Sequence, residues 1–138
     1  MLSVSVFFNV TSLPDSIYEY TKDSLEHMVK EGAFPDLIQV GNEIINGMLW
    51  PVAKVDPLGM ENWDLFVKLL ESGAKACREI CPKAKIIIHT EKAGEWNKIK
   101  TYYNHLWQLD YDIIGLSYYS MWHKAVTSSN AFRLVRCT

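Results

Sequence analysis

The stretch PDLIQVGNEIINGMLWP, residues 35–51, sets a carboxylate directly after a short apolar run. Leu37-Ile38-Gln39-Val40 stops at Gly41, Asn42 and Glu43 follow, and an apolar loop ends in Trp50-Pro51. A glutamate with so little charge around it suits proton transfer, because apolar surroundings penalise the anion and raise a carboxyl pKa. Beside aromatic side chains, the matching chemistry is glycoside hydrolysis. One carboxylic acid protonates the leaving oxygen, and a second carboxylate attacks carbon or activates water. By itself an Asn-Glu pair after a strand is more often a helix cap or a turn than a catalytic pair. Other chemistries find less support. No G-x-G-x-x-G or Lys-Ser/Thr phosphate loop follows an apolar run, and no G-x-S-x-G elbow is present. His89, His123, Glu43 and Glu91 have no fixed ligand spacing, and Cys77 and Cys81 lack a second Cys/His pair, so no metal or other cofactor is expected.

The elements that must carry these residues alternate. A helix is expected from Ser12 to about Gly32, with Pro14 and Asp15 in its first turn and Ile17, Tyr20, Leu25, Met28 and Val29 on its inner face. Residues 37–42 read as a strand too apolar for a sheet with one wet face. A long loop, 44–58, leads to a second helix over 62–81. There Trp63, Phe66, Val67, Leu70, Ala74, Cys77 and Ile80 share a face, and Pro82 ends it. KIIIHT, residues 85–90, is a β-branched strand. A third helix over 95–109 turns Trp96, Ile99, Tyr103, Leu106 and Trp107 inward, and DIIGLSYY, residues 112–119, is the third strand. Helices between apolar strands indicate an α/β fold with a parallel sheet in sequence order. Ligand sites of such folds lie at the carboxyl ends of the strands. That face would gather Asn42 and Glu43, then His89 and Thr90, then Tyr118, Tyr119, Trp122 and His123.

Within this set several residues have two readings. Trp50 is either a wall for a sugar ring or a plug over the sheet rim. His89 is either a core histidine or cleft lining. Tyr118 and Tyr119 point to opposite sides of the sheet, so at most one faces inward. Trp122 and His123 lie just past the strand and suit a cleft. Trp63, Trp96 and Trp107 are core by spacing, while Glu91 and Glu95 read as solvated or capping residues.

Composition bounds the rest. The chain has 138 residues, which suits one domain, and is 49% hydrophobic with five Trp, seven Tyr and five Phe. A net charge of −2 gives no electrostatic case for nucleic acid or an anionic membrane as partner. Three cysteines make a closed disulfide framework improbable. No apolar run approaches the roughly 20 residues that span a bilayer. The start, MLSVSVFFNV, lacks the basic flank and cleavage site of a recognisable signal peptide.

The longer pattern carries more weight than any single pair. DLIQVGNEIINGMLWP, NWDLFVKLLESGAKACRE, KIIIHTEKAGEWN and YDIIGLSYYSMWH together resemble glycoside hydrolase family 53, the endo-β-1,4-galactanases, over about 13–123. The resemblance implies a partial (β/α)8 barrel, with 37–42, 85–90 and 112–119 as strands four to six. It implies a retaining two-carboxylate cleavage of β-1,4-galactosidic bonds in arabinogalactan or pectic galactan. Glu43 matches the general acid/base and Asn42 the asparagine that holds the sugar 2-hydroxyl. Trp50, His89, Tyr118, Trp122 and His123 fall at cleft-lining tips, and no cofactor is implied. Ser120 stands where the family usually has proline, and 1–12 and 124–138 do not follow the pattern. A full barrel needs roughly 250 residues. The family's nucleophile, a second glutamate at the seventh strand, has no counterpart here. The alternative is therefore an inactive remnant or a sugar-binding fragment, poorly soluble or molten in isolation. A full-length parent would be secreted or held in the cell envelope, where its polymer lies.

Overall fold

A computed structural model describes residues 12–119 and 121. Helix α1 (Leu13–Lys30) leads to strand β1 (Leu37–Val40). A small antiparallel hairpin, β2 (Gly47–Met48) and β3 (Ala53–Lys54), follows within the segment expected to be loop. Helix α2 (Trp63–Ile80), strand β4 (Lys85–Thr90), helix α3 (Trp96–His105) and strand β5 (Ile113–Leu116) complete the order. The three longer strands form one parallel sheet in the order β1-β4-β5, as the alternation predicts.

Local sequence explains the boundaries. Pro14 costs nothing in the first turn of α1, where its missing N–H has no helical partner to lose. The helix stops at Gly32, which takes φ +81°, while the N–H groups of Gly32 and Ala33 close on the carbonyls of Val29 and Met28. Helix α2 buries Phe66, Leu69, Leu70, Ala74 and Cys77, a spacing that keeps them on one side of a 3.6-residue helix. Burial pushes the Cys77 thiol up to about 11, so it packs as a small apolar residue and not as a nucleophile.

Register divides the sheet into two faces. Ile86, Ile88 and Thr90 of β4 are fully buried and share their face with Val40, Ile114 and Leu116. This face meets the core built by Phe66, Leu70, Ile99, Tyr102, Tyr103 and Leu106. The Tyr103 hydroxyl donates to the Ile88 carbonyl at 3.0 Å and stands 3.2 Å from Thr90 Oγ1, so the one buried polar side chain on the sheet is satisfied. Leu37, Gln39, Ile87, His89, Ile113 and Gly115 lie on the other face, which remains partly open: Leu37 is 57% exposed. The expectation of a sheet buried on both sides therefore holds for one side of the described strands. The open side is the one that a closed barrel turns inward.

The helix aromatics also divide. Trp63 is buried and stacks on the His105 ring, with centroids 4.0 Å apart. Trp96 and Trp107, expected in the core, are exposed, Trp107 at 76%. Trp96 is the first residue of α3, and Trp107 lies beyond its last residue, His105. Helical periodicity fixes direction only inside a helix, so it does not govern Trp107, and Trp96 opens the first turn at the helix end. Tyr103 is buried as expected, and Tyr102, one position before it, is fully buried as well, against Trp63 and Phe66. Tyr20 and Met28 likewise sit on the outer side of α1.

Candidate active site

The site begins with a turn that only glycine permits. At Gly41, φ is +80°, and a Cβ there would come within 2.7 Å of the Ile44 side chain. Glu43 follows with φ +51°, a left-handed conformation that costs energy for a residue with a Cβ and is met chiefly where function or tight structure holds it. Three successive amides after β1 are held by the tip of β4. The Glu43 N–H donates to His89 Nδ1 at 3.2 Å, the Ile44 N–H to the His89 carbonyl at 3.2 Å, and the Ile45 N–H to Glu91 Oε2 at 3.4 Å. Ile44 and Ile45 are buried, which roots the turn in the core. The carboxylate thus leaves a strained, apolar-anchored turn and points off the end of the sheet.

The other two strands supply its partners. Tyr119, just past β5, donates its hydroxyl to Glu43 Oε1 at 3.0 Å. Hydrogen bonds from the Ser117 hydroxyl and then from Tyr119 hold the Glu43 carboxyl below its ordinary range, against a smaller opposing effect of desolvation. The direction is opposite to the raised value expected from the apolar loop sequence. The reason is geometric: the carboxylate faces hydroxyl donors just past the end of β5, two strands away, not the isoleucines that follow it. Among the described residues, no second carboxylate is among the groups that set its pKa.

The remaining predicted residues sort as follows. Asn42 is exposed beside Glu43, with its Oδ1 accepting from Gln39 Nε2 at 3.1 Å. Trp50 is exposed, donates Nε1–H to the Asn46 carbonyl at 3.0 Å and carries the Lys54 ammonium 4.4 Å from its ring centroid. One ring face is thus occupied by a cation, and the residue lies on the loop between β2 and β3. His89 is engaged at both ring nitrogens, by the Glu43 amide and by Ser117 Oγ at 3.1 Å. Tyr118 is half-exposed, and it is Tyr119 that reaches Glu43. The β4–β5 register pairs Gly115 with His89, and Ser117 and Tyr119 follow Gly115 at positions of the same parity. Ser117 had no signal in the sequence, because a lone serine beside two tyrosines is unremarkable without the register. Glu91 bonds a backbone amide, in keeping with its reading as a capping residue. Trp122 and His123 lie outside the described residues.

The chain is similar to known proteins. The family model described as glycosyl hydrolase family 53 matches residues 6–134, a wider span than the motifs alone. An "uncharacterized protein in bgaB 5'region" of Niallia circulans is 36% identical over 116 residues, covering 80% of this chain and 32% of that protein. A "probable arabinogalactan endo-beta-1,4-galactanase A" of Aspergillus flavus is 31% identical over 127 residues, covering 86% and 35%. The solved Ignisphaera aggregans GH53 catalytic domain superposes with a TM-score of 0.75 at 30% identity, over 88% of this chain and 32% of that one. The chain spans about a third of the length of the relatives it matches. Its parallel strands are therefore a contiguous part of a (β/α)8 barrel. With the family model running through nearly all of its residues, this chain belongs to glycosyl hydrolase family 53.

Proposed function

We propose that this chain carries the acid/base half of a retaining endo-β-1,4-galactanase site, with Glu43 as the proton donor and Asn42 as a sugar-binding neighbour. The observation that carries the reading is the placement of Glu43: a carboxylate on a strained turn at the carboxyl end of a barrel strand, pinned through three consecutive amides. The name of the Aspergillus relative supplies the substrate class, a β-1,4-linked galactan.

In the first step Glu43 gives its proton to the glycosidic oxygen as the C1–O bond breaks, and a second carboxylate bonds C1 from the opposite face. In the second step Glu43, now an anion, takes a proton from water, whose oxygen bonds C1 and releases that carboxylate. The hydrogen bonds from Ser117 and Tyr119 favour the anion, the form needed for the second step. The first step needs the acid form at working pH. A second carboxylate from outside the described residues would supply the missing push, since a like charge within a few ångströms raises a carboxyl pKa. Trp50, His89, Tyr118, Trp122 and His123 are proposed around the same cleft, with the His89 ring accepting from the Glu43 amide. Export to the polymer outside the cell follows from the substrate and belongs to the same proposal.

A second reading has its own support. Among the described residues, only neutral hydroxyls and the His89 ring act on the Glu43 carboxyl. A chain with one carboxylate in place would bind galactan without cleaving it. Reducing-end release from β-1,4-galactan, measured beside binding to the same polymer, separates the two. Hydrolysis lost in Glu43→Gln supports the enzyme; binding without hydrolysis in wild type supports the second reading; neither removes both.

A further inference from the structure

We propose that His89 is a positioning residue for Glu43, a neutral ring locked as the Nε2–H tautomer that fixes both the Glu43 turn and the hydroxyl facing its carboxylate. The inference rests on the glycosidase reading only for its catalytic meaning; its structural content stands alone.

The hydrogen bonds determine the proton positions. A backbone N–H can only donate, so the Glu43 amide, 3.2 Å from His89 Nδ1, requires that nitrogen to be an unprotonated acceptor. A neutral imidazole then carries its proton on Nε2. Nε2 stands 3.1 Å from Ser117 Oγ, so the ring donates there. The single Ser117 proton is left to point elsewhere, and a hydrogen bond from this hydroxyl is the largest influence lowering the Glu43 carboxyl. The donors thus run in one direction, from ring to hydroxyl to carboxylate. A second proton on the ring would set Nδ1–H against the Glu43 N–H, two donors face to face, and release the turn.

The sheet makes room for this ring on purpose of shape. His89 pairs with Gly115 on β5, and a Cβ at 115 would stand 3.0 Å from His89 Cδ2. Position 115 therefore sets no side chain against the imidazole, whose nitrogens reach the segments that follow β1 and β5. One residue of β4 so ties together the ends of all three parallel strands, at the point where the strained φ of Glu43 most needs support. A histidine with both nitrogens engaged by the protein has no donor or acceptor to spare for a sugar hydroxyl. That distinguishes positioning from substrate contact.

The test uses this chain with ¹⁵N-labelled histidines, of which it has four. Long-range ¹H–¹⁵N correlation identifies each tautomer, and the signal lost in His89→Gln assigns position 89. The expected result is a ring with Nε2 protonated and Nδ1 bare. Amide exchange at Glu43 should quicken at least about five-fold in His89→Gln, as for one lost hydrogen bond. His89→Asn, whose Oδ1 can replace Nδ1, should restore that protection. In the same His89→Asn variant and in Ser117→Ala, the Glu43 carboxyl should titrate higher than in wild type. An Nδ1–H tautomer, or a rapidly averaging ring, overturns the proposal, as does Glu43 exchange that His89→Gln leaves unchanged. If His89→Gln does not fold, the wild-type tautomer with assignment by His89→Asn still decides. No readout involves galactan, so failure here is separate from failure of the glycosidase reading.

Discussion

The two ends of the same three strands treat carboxylates in opposite ways. At the amino ends, Asp112 accepts the Ile86 N–H at 2.9 Å, Arg78 Nη2 at 2.9 Å and Lys85 Nζ at 3.2 Å. Arg78 also grips Asp110 with two hydrogen bonds, at 2.8 and 2.9 Å, and donates to the Ala84 carbonyl at 3.1 Å. At the carboxyl ends, Glu43 has hydroxyl partners and a strained backbone. Both Asp112 and Glu43 titrate low, but for different causes. A backbone N–H and two cations hold Asp112 at about 2, whereas neutral hydroxyls hold Glu43. An ion pair fixed on all sides is committed to structure. A carboxylate held by hydroxyls keeps the freedom to exchange a proton, which is what a barrel places at its catalytic face.

The contrast can be broken first at the carboxyl end. In a polypeptide bearing this segment that hydrolyses galactan, Glu43→Gln should lower kcat by about 10²–10⁴-fold, the usual worth of general acid–base catalysis. Added azide should restore part of the turnover by replacing activated water, and thermal melting should be essentially unmoved. A large fall in melting temperature with little loss of rate would reverse the assignment of the two ends. The amino end should show the converse. Arg78→Ala removes one partner from several charge-assisted hydrogen bonds and should cost about 2–3 kcal/mol in urea unfolding. Titration of the Glu43 carboxyl, followed by NMR, should not change with it.

Acid sharpens the same comparison. Asp112 has a folded pKa of about 2 against an ordinary 3.8. A lowered carboxyl pKa contributes stability above the unfolded value and loses it as pH falls through the folded one. Unfolding midpoints measured from pH 5 to 2 should therefore drop mainly between about 4 and 2. Asp112→Asn should be less stable at neutral pH and flatter across that window. The smallest effect is expected where the sheet supports His89. Gly115→Ala brings a methyl group within 3.0 Å of His89 Cδ2 and Ile87 Cγ2, and mild overpacking of this kind costs about 1 kcal/mol. Faster amide exchange at Glu43 than at Ile86 in this variant would show that the strain is delivered to the site end.

Much of this molecule was determined by the sequence alone. The boundaries of α1, α2 and β4 follow from apolar spacing, Pro14, Gly32 and Pro82, because local backbone preferences and hydrophobic period act over a few residues. The parallel order of strands follows from helices placed between apolar runs, and Glu43 as the candidate acid/base follows from its motif. Tertiary structure decided what depends on neighbours distant along the chain. Tyr119 and not Tyr118 meets Glu43, because the β4–β5 register sets Gly115 beside His89 and parity carries that face to 119. The carboxyl pKa falls instead of rising, because its environment is the end of another strand and not its own apolar loop. Trp107 is exposed although its spacing suggests core, because α3 ends before it. His89 takes a protein-facing role because two segments, 46 residues before and 28 after, meet its ring. A side chain's type and spacing are local properties, but its proton is set by whichever groups the fold brings within hydrogen-bond reach.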